Sequence, residues 1–110
     1  MAQIVAVVDL PGGPTVRQFE GADHGSSVSF FVGDHRPGTG PDPHTHPYDE
    51  TFVMERGSST FTVDGETIEA RAGQIVVVPA GAVHSFVASE SEGSRQVSIH
   101  AAPRMVQGDC

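Results

Sequence analysis

Two histidines and a glutamate stand close together between residues 38 and 57: His44, His46 and Glu50. Side chains alternate between the two faces of a strand, so His44 and His46 share a face and Glu50 keeps the same parity. Imidazole nitrogens with one carboxylate oxygen suit divalent ions of Mn, Fe, Ni, Cu or Zn, and leave coordination positions open for chemistry. The stretch therefore predicts a metal site that needs a further ligand.

A fourth histidine follows a different kind of segment. Residues 74–78 form a continuous apolar run, typical of a strand buried on both faces, and a Pro-Ala-Gly turn at residues 79–81 precedes His84. His84 is therefore expected at the inner end of a new strand, where it could complete the ligand set. Asp49 competes with Glu50 by residue type, but it points to the opposite face if the strand has already begun.

The composition excludes several functions. The chain has 110 residues, enough for one domain (residues 1–110), and its formal charge of −8 argues against nucleic acid or an anionic membrane as the main partner. No lysine occurs, so a lysine Schiff base is excluded. Cys110 is the only cysteine; an internal disulfide is impossible, and we expect a free thiol at a frayed end. The apolar run at residues 4–8 is too short for a signal peptide or membrane span, which predicts a cytoplasmic protein.

Short β-branched or alternating runs, separated by turns rich in Gly, Pro and Asp, predict an all-β chain folded as an antiparallel barrel or sandwich. The predicted strands are residues 4–8, 15–19, 26–32, 51–55, 59–63, 66–70, 74–78, 84–88 and 96–101. Asp64-Gly65 predicts a tight hairpin. We expect a turn at residues 56–58, a strand end at Gly33, and a C-terminal tail at residues 103–110.

The spacing of the two histidine-bearing segments resembles that of the cupin superfamily. Residues 38–57 read Gly-x5-His-x-His-x3-Glu-x6-Gly, and residues 73–84 read Gly-x5-Pro-x-Gly-x2-His. These patterns match the two cupin motifs, and the second departs from the family pattern only at its end, where Ala88 stands in place of the usual Asn. The departure concerns the local hydrogen bonding at residue 88.

The resemblance implies a small single-domain cupin: an antiparallel jelly-roll barrel, or double-stranded β-helix, that is often a homodimer. It also implies one divalent transition metal ion (Mn, Fe, Ni, Zn or Cu). The ligands carried over from the motifs are His44, His46, Glu50 and His84.

Side chains that share the parity of the ligands should surround the ion. The set expected on this basis is Phe52, Met54, Phe86 and Ala88, with Arg17 as a possible exception elsewhere in the chain. Small barrels also fill their own interiors with such residues. The four inward residues are apolar or small and include no cation, which favours a neutral or weakly acidic organic ligand.

Two further residues could act near the metal. His100 shares the polar face of the last strand with Ser98, where it could carry a proton or simply be a hydrogen-bonded strand histidine. Tyr48, the only tyrosine, lies between ligands and could gate the site or cover it. His24 and His35, in segments rich in Gly or Asp, are expected to be ordinary surface or core histidines.

Two functional classes remain open. The first is a metal-dependent enzyme acting on a small enolisable or aromatic substrate, either a dioxygenase or an isomerase, lyase or cyclase, with Glu50, His100 and Tyr48 as catalytic residues. The second is a non-catalytic, metal-containing module that binds a small molecule; its usual effector domain has no room in a chain of this size. Ligand spacing does not separate oxygenation from non-redox chemistry, because cupins use the same four residues with different metals.

Overall fold

The computed structural model describes residues 2–109, which form an almost entirely antiparallel β-structure. The strands are β1 Val16–Phe19, β2 Ser29–His35, β3 His44–Thr45, β4 Glu50–Val63, β5 Glu66–Arg71, β6 Ile75–Val78, β7 His84–Ala88, β8 Ser94–His100 and β9 Gly108–Asp109. Two short 3-10 helices, Val7–Asp9 and Gly21–Asp23, precede β1 and β2. The predicted all-β barrel is confirmed. Cys110 lies outside the described residues, and within them no helix has the length and apolarity needed to cross a membrane.

The strands form a sheet that curls into two halves. Its order is β1-β2-β8-β4-β7-β3-β9, and β5 and β6 each pair with β4. Strand β4 belongs to both halves, because residues 50–53 pair with β6 and β8 whereas residues 59–63 pair with β5 and β7. The first residue of this long strand is therefore the predicted ligand Glu50, and its far end pairs with the strands of the other half of the barrel.

Strand β4 changes from one half to the other at a bend. Its register with β8 shifts between Met54 and Arg56, and Gly57 has a φ of +70°. A Cβ at Gly57 would lie 2.2 Å from the carbonyl oxygen of Gly93, so the backbone approach requires glycine. The predicted turn between two separate strands at residues 56–58 is wrong, since the strand bends and continues.

Two other strand assignments differ from the sequence prediction. Strand β2 continues through Gly33 to His35 instead of ending at the glycine. A Cβ at Gly33 would lie 1.9 Å from the carbonyl oxygen of Thr15, so this glycine allows the close approach of the neighbouring chain segment. Residues 4–8 form no strand, and Ile4 is 99% exposed; β-branched composition predicts a strand only where a partner is available.

Strand β6 is buried on one face in the single chain. Val76 and Val78 point into the barrel, whereas Ile75 and Val77 are 64% and 65% exposed. The prediction of a strand buried on both faces is therefore wrong for one copy of the chain. By contrast, the hairpin at Asp64-Gly65 is confirmed: Val63 pairs with Glu66 across the two-residue turn.

The inner faces of the two halves enclose an apolar core. Its buried members are Phe52, Met54, Phe61, Ala70, Val76, Val78, Ala82 and Phe86. The ring of Phe52 lies 4.8 Å from that of Phe61 and 5.9 Å from that of Phe86, measured between centroids, so three strand segments meet in one aromatic layer. The ring of His84 lies 6.4 Å from Phe52, which places this layer directly beside the predicted ligands.

We expect Gly57→Ala to lower the free energy of unfolding by about 2–4 kcal/mol, because alanine would both adopt a left-handed φ and collide with Gly93. Gly73→Ala is the matched control: Gly73 has a φ of +88°, but no atom lies within 4 Å of the place that an alanine methyl group would occupy. The control should lose only about 1 kcal/mol. Urea unfolding followed by circular dichroism measures both, and equal losses would show that the contact with Gly93 does not fix the bend.

Candidate metal centre

Three strands bring the four predicted ligands together. His44 in β3 pairs directly with His84 at the start of β7, and Glu50 opens β4. His46 lies in the segment that joins β3 to β4. All four side chains are buried, and one ligand atom from each lies within 4.8 Å of the others.

A backbone carbonyl fixes the orientation of each of the three imidazoles. The Nδ1 atoms of His44, His46 and His84 lie 2.7, 2.6 and 2.9 Å from the carbonyl oxygens of Asp42, Val106 and Ala82, respectively. A carbonyl only accepts, so each Nδ1 carries the proton and donates. In a neutral imidazole, the Nε2 lone pair is then free to bind a metal ion, as is usual for histidine ligands. Nε2 of His84 donates to the carboxylate of Glu50 and would give up that proton to a metal ion.

Glu50 lies among the inward nitrogens. Its Oε1 is 2.9 Å from Nε2 of His84 and 3.1 Å from Nε2 of His46. Only the first contact has hydrogen-bond geometry, so Nε2 of His46 is a buried nitrogen with no hydrogen-bond partner in residues 2–109. Buried polar atoms normally have partners, and a cation would give this lone pair one. Three imidazoles and a carboxylate fit a divalent transition metal.

The carboxylate of Glu50 supplies the negative charge of the cluster. Burial raises its pKa, but hydrogen bonds from His100 and His84 outweigh burial and hold the pKa at about 2. Burial also acts to lower the pKa of His84, yet the hydrogen bond to Glu50 leaves that pKa raised. At His46 burial dominates, and the pKa is lowered. Glu50 is therefore ionised, and His46 favours the neutral form that a ligand needs.

His100 and Tyr48 extend the cluster. Nε2 of His100 lies 3.2 Å from Oε2 of Glu50, and its Nδ1 lies 2.6 Å from the hydroxyl of Tyr48. The Tyr48 ring stacks on His46 with centroids 5.1 Å apart and planes 7° apart, so it covers this ligand. Glu50, His100 and Tyr48 thus form a hydrogen-bonded chain of groups that can carry protons.

The C-terminal segment, residues 103–109, contacts the metal cluster, whereas the sequence predicted only a tail there. Besides accepting the bond from His46, Val106 donates its N–H to the hydroxyl of Tyr48 at 3.1 Å. Strand β9 pairs with β3, and Arg104 lies 2.8 Å from two carboxylates near β2. The segment therefore helps to orient His46.

A cavity of about 360 Å³ opens beside the cluster and includes His44, Glu50 and His100 in its wall. The other lining residues are Val16, Phe31, His35, Thr39, Gly40, Pro41, Phe52, Phe86, Ser98 and Gln107. Most of this wall is apolar, and none of these residues is Lys or Arg. An anionic group away from the cluster would find no cationic side chain in the wall.

The structure changes part of the predicted pocket. Phe52 and Phe86 line the cavity, whereas Met54 and Ala88 are buried outside its wall, because strand parity gives the face of a side chain and not its position along the strand. Arg17 also lies elsewhere than expected: it pairs with Val32 on β2 and donates to the carbonyl oxygen of Leu10 at 2.9 Å, away from the cavity wall.

Sequence reasoning missed eight lining residues: Val16, Phe31, His35, Thr39, Gly40, Pro41, Ser98 and Gln107. Ser98 shares strand parity with His100, and this was the available signal. His35 was expected to be ordinary, but it belongs to β2 and shares the inner face of that strand with Phe31. Gln107 gave no signal, because it lies in the segment that was predicted to be a tail.

A curled antiparallel barrel with a buried cluster of three histidines and one glutamate defines a metal-site barrel protein. A sequence model of the cupin domain matches residues 32–100, more than half of the chain. The chain therefore belongs to the cupin family, as its two motifs predicted.

Two curated proteins of Streptomyces are similar to part of the chain. The polyketide synthase CurC of Streptomyces cyaneus is 38% identical over 69 residues, which cover 62% of this chain and 44% of that protein. An uncharacterized protein of Streptomyces coelicolor is 37% identical over 60 residues, which cover 54% of this chain and 55% of that protein. The chain thus matches about half the length of these relatives.

Solved structures show the same fold at low sequence identity. The oxalate decarboxylase of Bacillus subtilis superposes with a TM-score of 0.79 and 18% identity, over 94% of this chain and 31% of that one. An oxalate oxidase superposes with a TM-score of 0.76 and 19% identity, over 96% of this chain and 62% of that one. KdgF from a Halomonas species superposes with a TM-score of 0.65 and 20% identity, over 84% of this chain and 82% of that one. The Bacillus decarboxylase has Mn(II) centres, and the donor set of the present chain likewise fits a divalent metal.

We expect His84→Ala to lower metal affinity by more than the roughly 10- to 100-fold lost when a residue supporting a ligand is removed. His100→Ala should retain the metal, because His100 reaches the cluster through its contacts with Glu50 and Tyr48. His24→Ala is the control, since His24 stacks on Phe19 outside the cluster. Elemental analysis gives the metal content of the three variants, and calorimetric titration with zinc gives their metal affinity. Loss of metal in both His84→Ala and His100→Ala would make His100 a ligand.

Proposed function

We propose that the chain is a metal-dependent enzyme that acts on a small enolisable or aromatic molecule. The observation that carries this proposal is the position of the cluster: three imidazoles with inward Nε2 atoms surround an ionised carboxylate, and two members of the cluster, His44 and Glu50, stand in the wall of an apolar cavity. In this proposal His44, His46, Glu50 and His84 hold the metal. A cavity of this size accepts one small organic molecule.

When bound, a divalent ion would act as a Lewis acid on a carbonyl or enolate oxygen. The chain's own residues supply the remaining requirements. The apolar wall excludes water from the reacting atoms and orients the substrate. His100 lines the cavity and is hydrogen-bonded on its other side to Tyr48, so it is placed to take up or deliver a proton at Nε2 while Tyr48 holds Nδ1. Glu50 is the second candidate for proton transfer.

The character of the wall limits the substrate. Because the lining residues include no Lys or Arg, the site favours an uncharged or weakly acidic molecule over a small dianion such as oxalate. The similarity to a polyketide synthase supports an enolisable substrate with several oxygen atoms. The hydrogen-bonded series of Glu50, His100 and Tyr48 favours proton-transfer chemistry, namely isomerisation, elimination or cyclisation.

Oxygenation is the second candidate. It is favoured by the donor set itself, since imidazoles with one carboxylate also bind redox-active iron and copper. It would use the same cavity and the same four ligands. Redox and proton-transfer chemistry therefore differ in the metal and in the consumption of dioxygen.

We expect turnover of one or more members of a panel of phenols and 1,3-diketones after the purified protein is loaded in turn with Mn, Fe, Ni, Cu or Zn. Oxygen uptake and mass spectrometry of products follow the reaction. His100→Ala should keep the metal and lose at least about 100-fold in turnover, the lower range for acid–base catalysis. Tyr48→Phe keeps the stacked ring without the hydroxyl, and should lose less.

The outcomes separate the alternatives. Products without oxygen uptake indicate an isomerase, lyase or cyclase, whereas uptake with iron or copper indicates an oxygenase. Metal-dependent binding without turnover on any metal would favour the non-catalytic binding module. A protein that binds no divalent metal would contradict the proposal as a whole.

We also propose that the chain forms a homodimer through the outer face of β6 and its neighbours. Ile75 and Val77 are exposed there, and Val53, the cross-strand partner of Ile75, adds to the same apolar surface. The sequence of β6 is typical of a strand buried on both faces, and a second copy would bury the face that one copy leaves open.

For this interface, replacing both Ile75 and Val77 by Asp should convert a dimer into a monomer, because two carboxylates would have to lose their hydration on association. Ile4→Asp is the control, since Ile4 is exposed outside the sheet. Size-exclusion chromatography with light scattering gives the mass of each variant. A monomeric wild-type protein, or a doubly substituted variant that remains dimeric, would contradict this interface.

A further inference from the structure

The C-terminal segment contacts both the metal cluster and the cavity wall. The carbonyl oxygen of Val106 accepts the hydrogen bond from Nδ1 of His46 at 2.6 Å, and the N–H of Val106 donates to the hydroxyl of Tyr48 at 3.1 Å. The next residue, Gln107, lines the cavity. The position of this segment therefore determines how one of the four predicted ligands is oriented.

Apolar burial contributes little to the docking of the segment. Pro103 and Val106 are exposed, the latter by 51%, and Met105 is half-buried. A segment that buries little apolar surface and depends on exposed hydrogen bonds belongs to the least stable part of a fold. Its far end is held by β9, which pairs with β3. Its near end requires contacts of another kind.

Arg104 supplies the charged contacts at the near end. Its Nη1 lies 2.8 Å from Oε2 of Glu20 and 2.8 Å from Oδ1 of Asp23. The other oxygen of Glu20, Oε1, accepts the backbone N–H of Met105 at 3.2 Å. The hydrogen bond from Arg104 is the main cause of the lowered pKa of Glu20, so this carboxylate keeps its charge at a lower pH than an isolated glutamate. Glu20 thus binds the two residues directly before Val106.

We propose that Arg104 is a positioning residue for the metal centre. By binding two carboxylates it fixes the C-terminal segment, and the segment orients His46 through the carbonyl of Val106. This inference rests on the metal-binding part of the proposed function, and it adds that docking of the segment and binding of the metal are coupled. By thermodynamic linkage, each then favours the other to the same extent.

The charge of Arg104 separates this coupling from a simple electrostatic effect. A metal ion is a cation, so replacing Arg104 by glutamate would by Coulomb's law alone strengthen metal binding. Coupling through the segment has the opposite sign. A carboxylate at position 104 would repel Glu20 and Asp23 and release the segment. His46 would then lose the carbonyl that orients it.

Calorimetric titration of the full-length protein with zinc gives the first test. We expect Arg104→Glu to weaken zinc binding about tenfold, the lower end of the range for losing a partner that orients a ligand. Arg104→Lys keeps the positive charge and should stay within about threefold of wild type. Arg71→Glu is the matched control, because it makes the same change of charge and breaks an exposed ion pair with Glu69 on β5. It should not weaken zinc binding.

Amide hydrogen exchange followed by NMR gives a second test, which needs no substrate. In wild type, zinc should slow the exchange of the Val106 N–H, because metal binding favours the docked segment. In Arg104→Glu, this N–H should exchange about tenfold faster than in wild type. The amides of residues 59–63 in β4 are the internal reference. They should keep their wild-type rates, since the segment docks on a barrel that is already folded.

The positioning role and the proposed function fail in different ways. If wild type binds zinc and Arg104→Glu binds it as tightly or more tightly, the role of Arg104 is wrong and the metal-binding function stands. Equal weakening in Arg104→Glu and Arg71→Glu, or faster exchange throughout residues 59–63, would show a general effect and would also overturn that role. If wild type binds no divalent metal, both the function and the inference that rests on it are overturned.

Discussion

The site depends on the burial of one carboxylate among imidazoles. An isolated buried carboxylate would take up a proton to avoid the cost of desolvation. Here hydrogen bonds from His100 and His84 reverse that effect, and the pKa of Glu50 falls to about 2. The charge is held in place at the first residue of β4, so the strands that pair with β4 also position the charge.

The same constraint explains why the ligands come from different parts of the sequence. A carbonyl must lie next to each Nδ1 so that the opposite nitrogen faces inward. Two of these carbonyls, those of Asp42 and Ala82, lie two residues before the histidine that they orient, and are therefore local. The third belongs to Val106, sixty residues away from His46, and it requires the C-terminal segment to return across the barrel.

The local part of the site could be predicted from sequence and the distant part could not. Parity and motif spacing indicated His44, His46, Glu50 and His84, and the structure brings all four side chains together. The cupin fold and the Asp64-Gly65 hairpin were also correct, because both follow from local turn chemistry and spacing. The position of a side chain along the barrel and its long-range contacts have no such local signal.

The errors have a common physical origin. Met54 has the right parity for the pocket but lies two residues beyond Phe52, outside the cavity wall, and Arg17 follows Val16, which lines the cavity, so alternation along β1 gives Arg17 the opposite face. Gly57 and Gly33 looked like ends of strands because glycine favours turns, whereas each accommodates a neighbouring carbonyl inside a continuing strand. Pairing partners decide these cases, and a single sequence does not contain them in readable form.

The inner face of β8 is polar where a small barrel would be expected to be apolar. Its four inward residues, Ser94, Gln96, Ser98 and His100, are buried in a barrel too small to spare apolar contacts. At one end, the hydroxyls of Ser94 and Ser59 lie 2.9 and 2.8 Å from Oε1 of Gln96; at the other, His100 contacts Glu50 and Tyr48.

Ser98, between these two ends, is the residue of the four that borders the cavity without a side-chain partner in residues 2–109. Nε2 of Gln96 is a buried nitrogen with no hydrogen-bond partner among residues 2–109, so this polar wall is not fully satisfied by protein and costs stability. The hydroxyl of Ser98, by contrast, borders the cavity, where water or a bound molecule can complete its hydrogen bonds, so the strand that supports the metal cluster also presents a polar group to the space beside it.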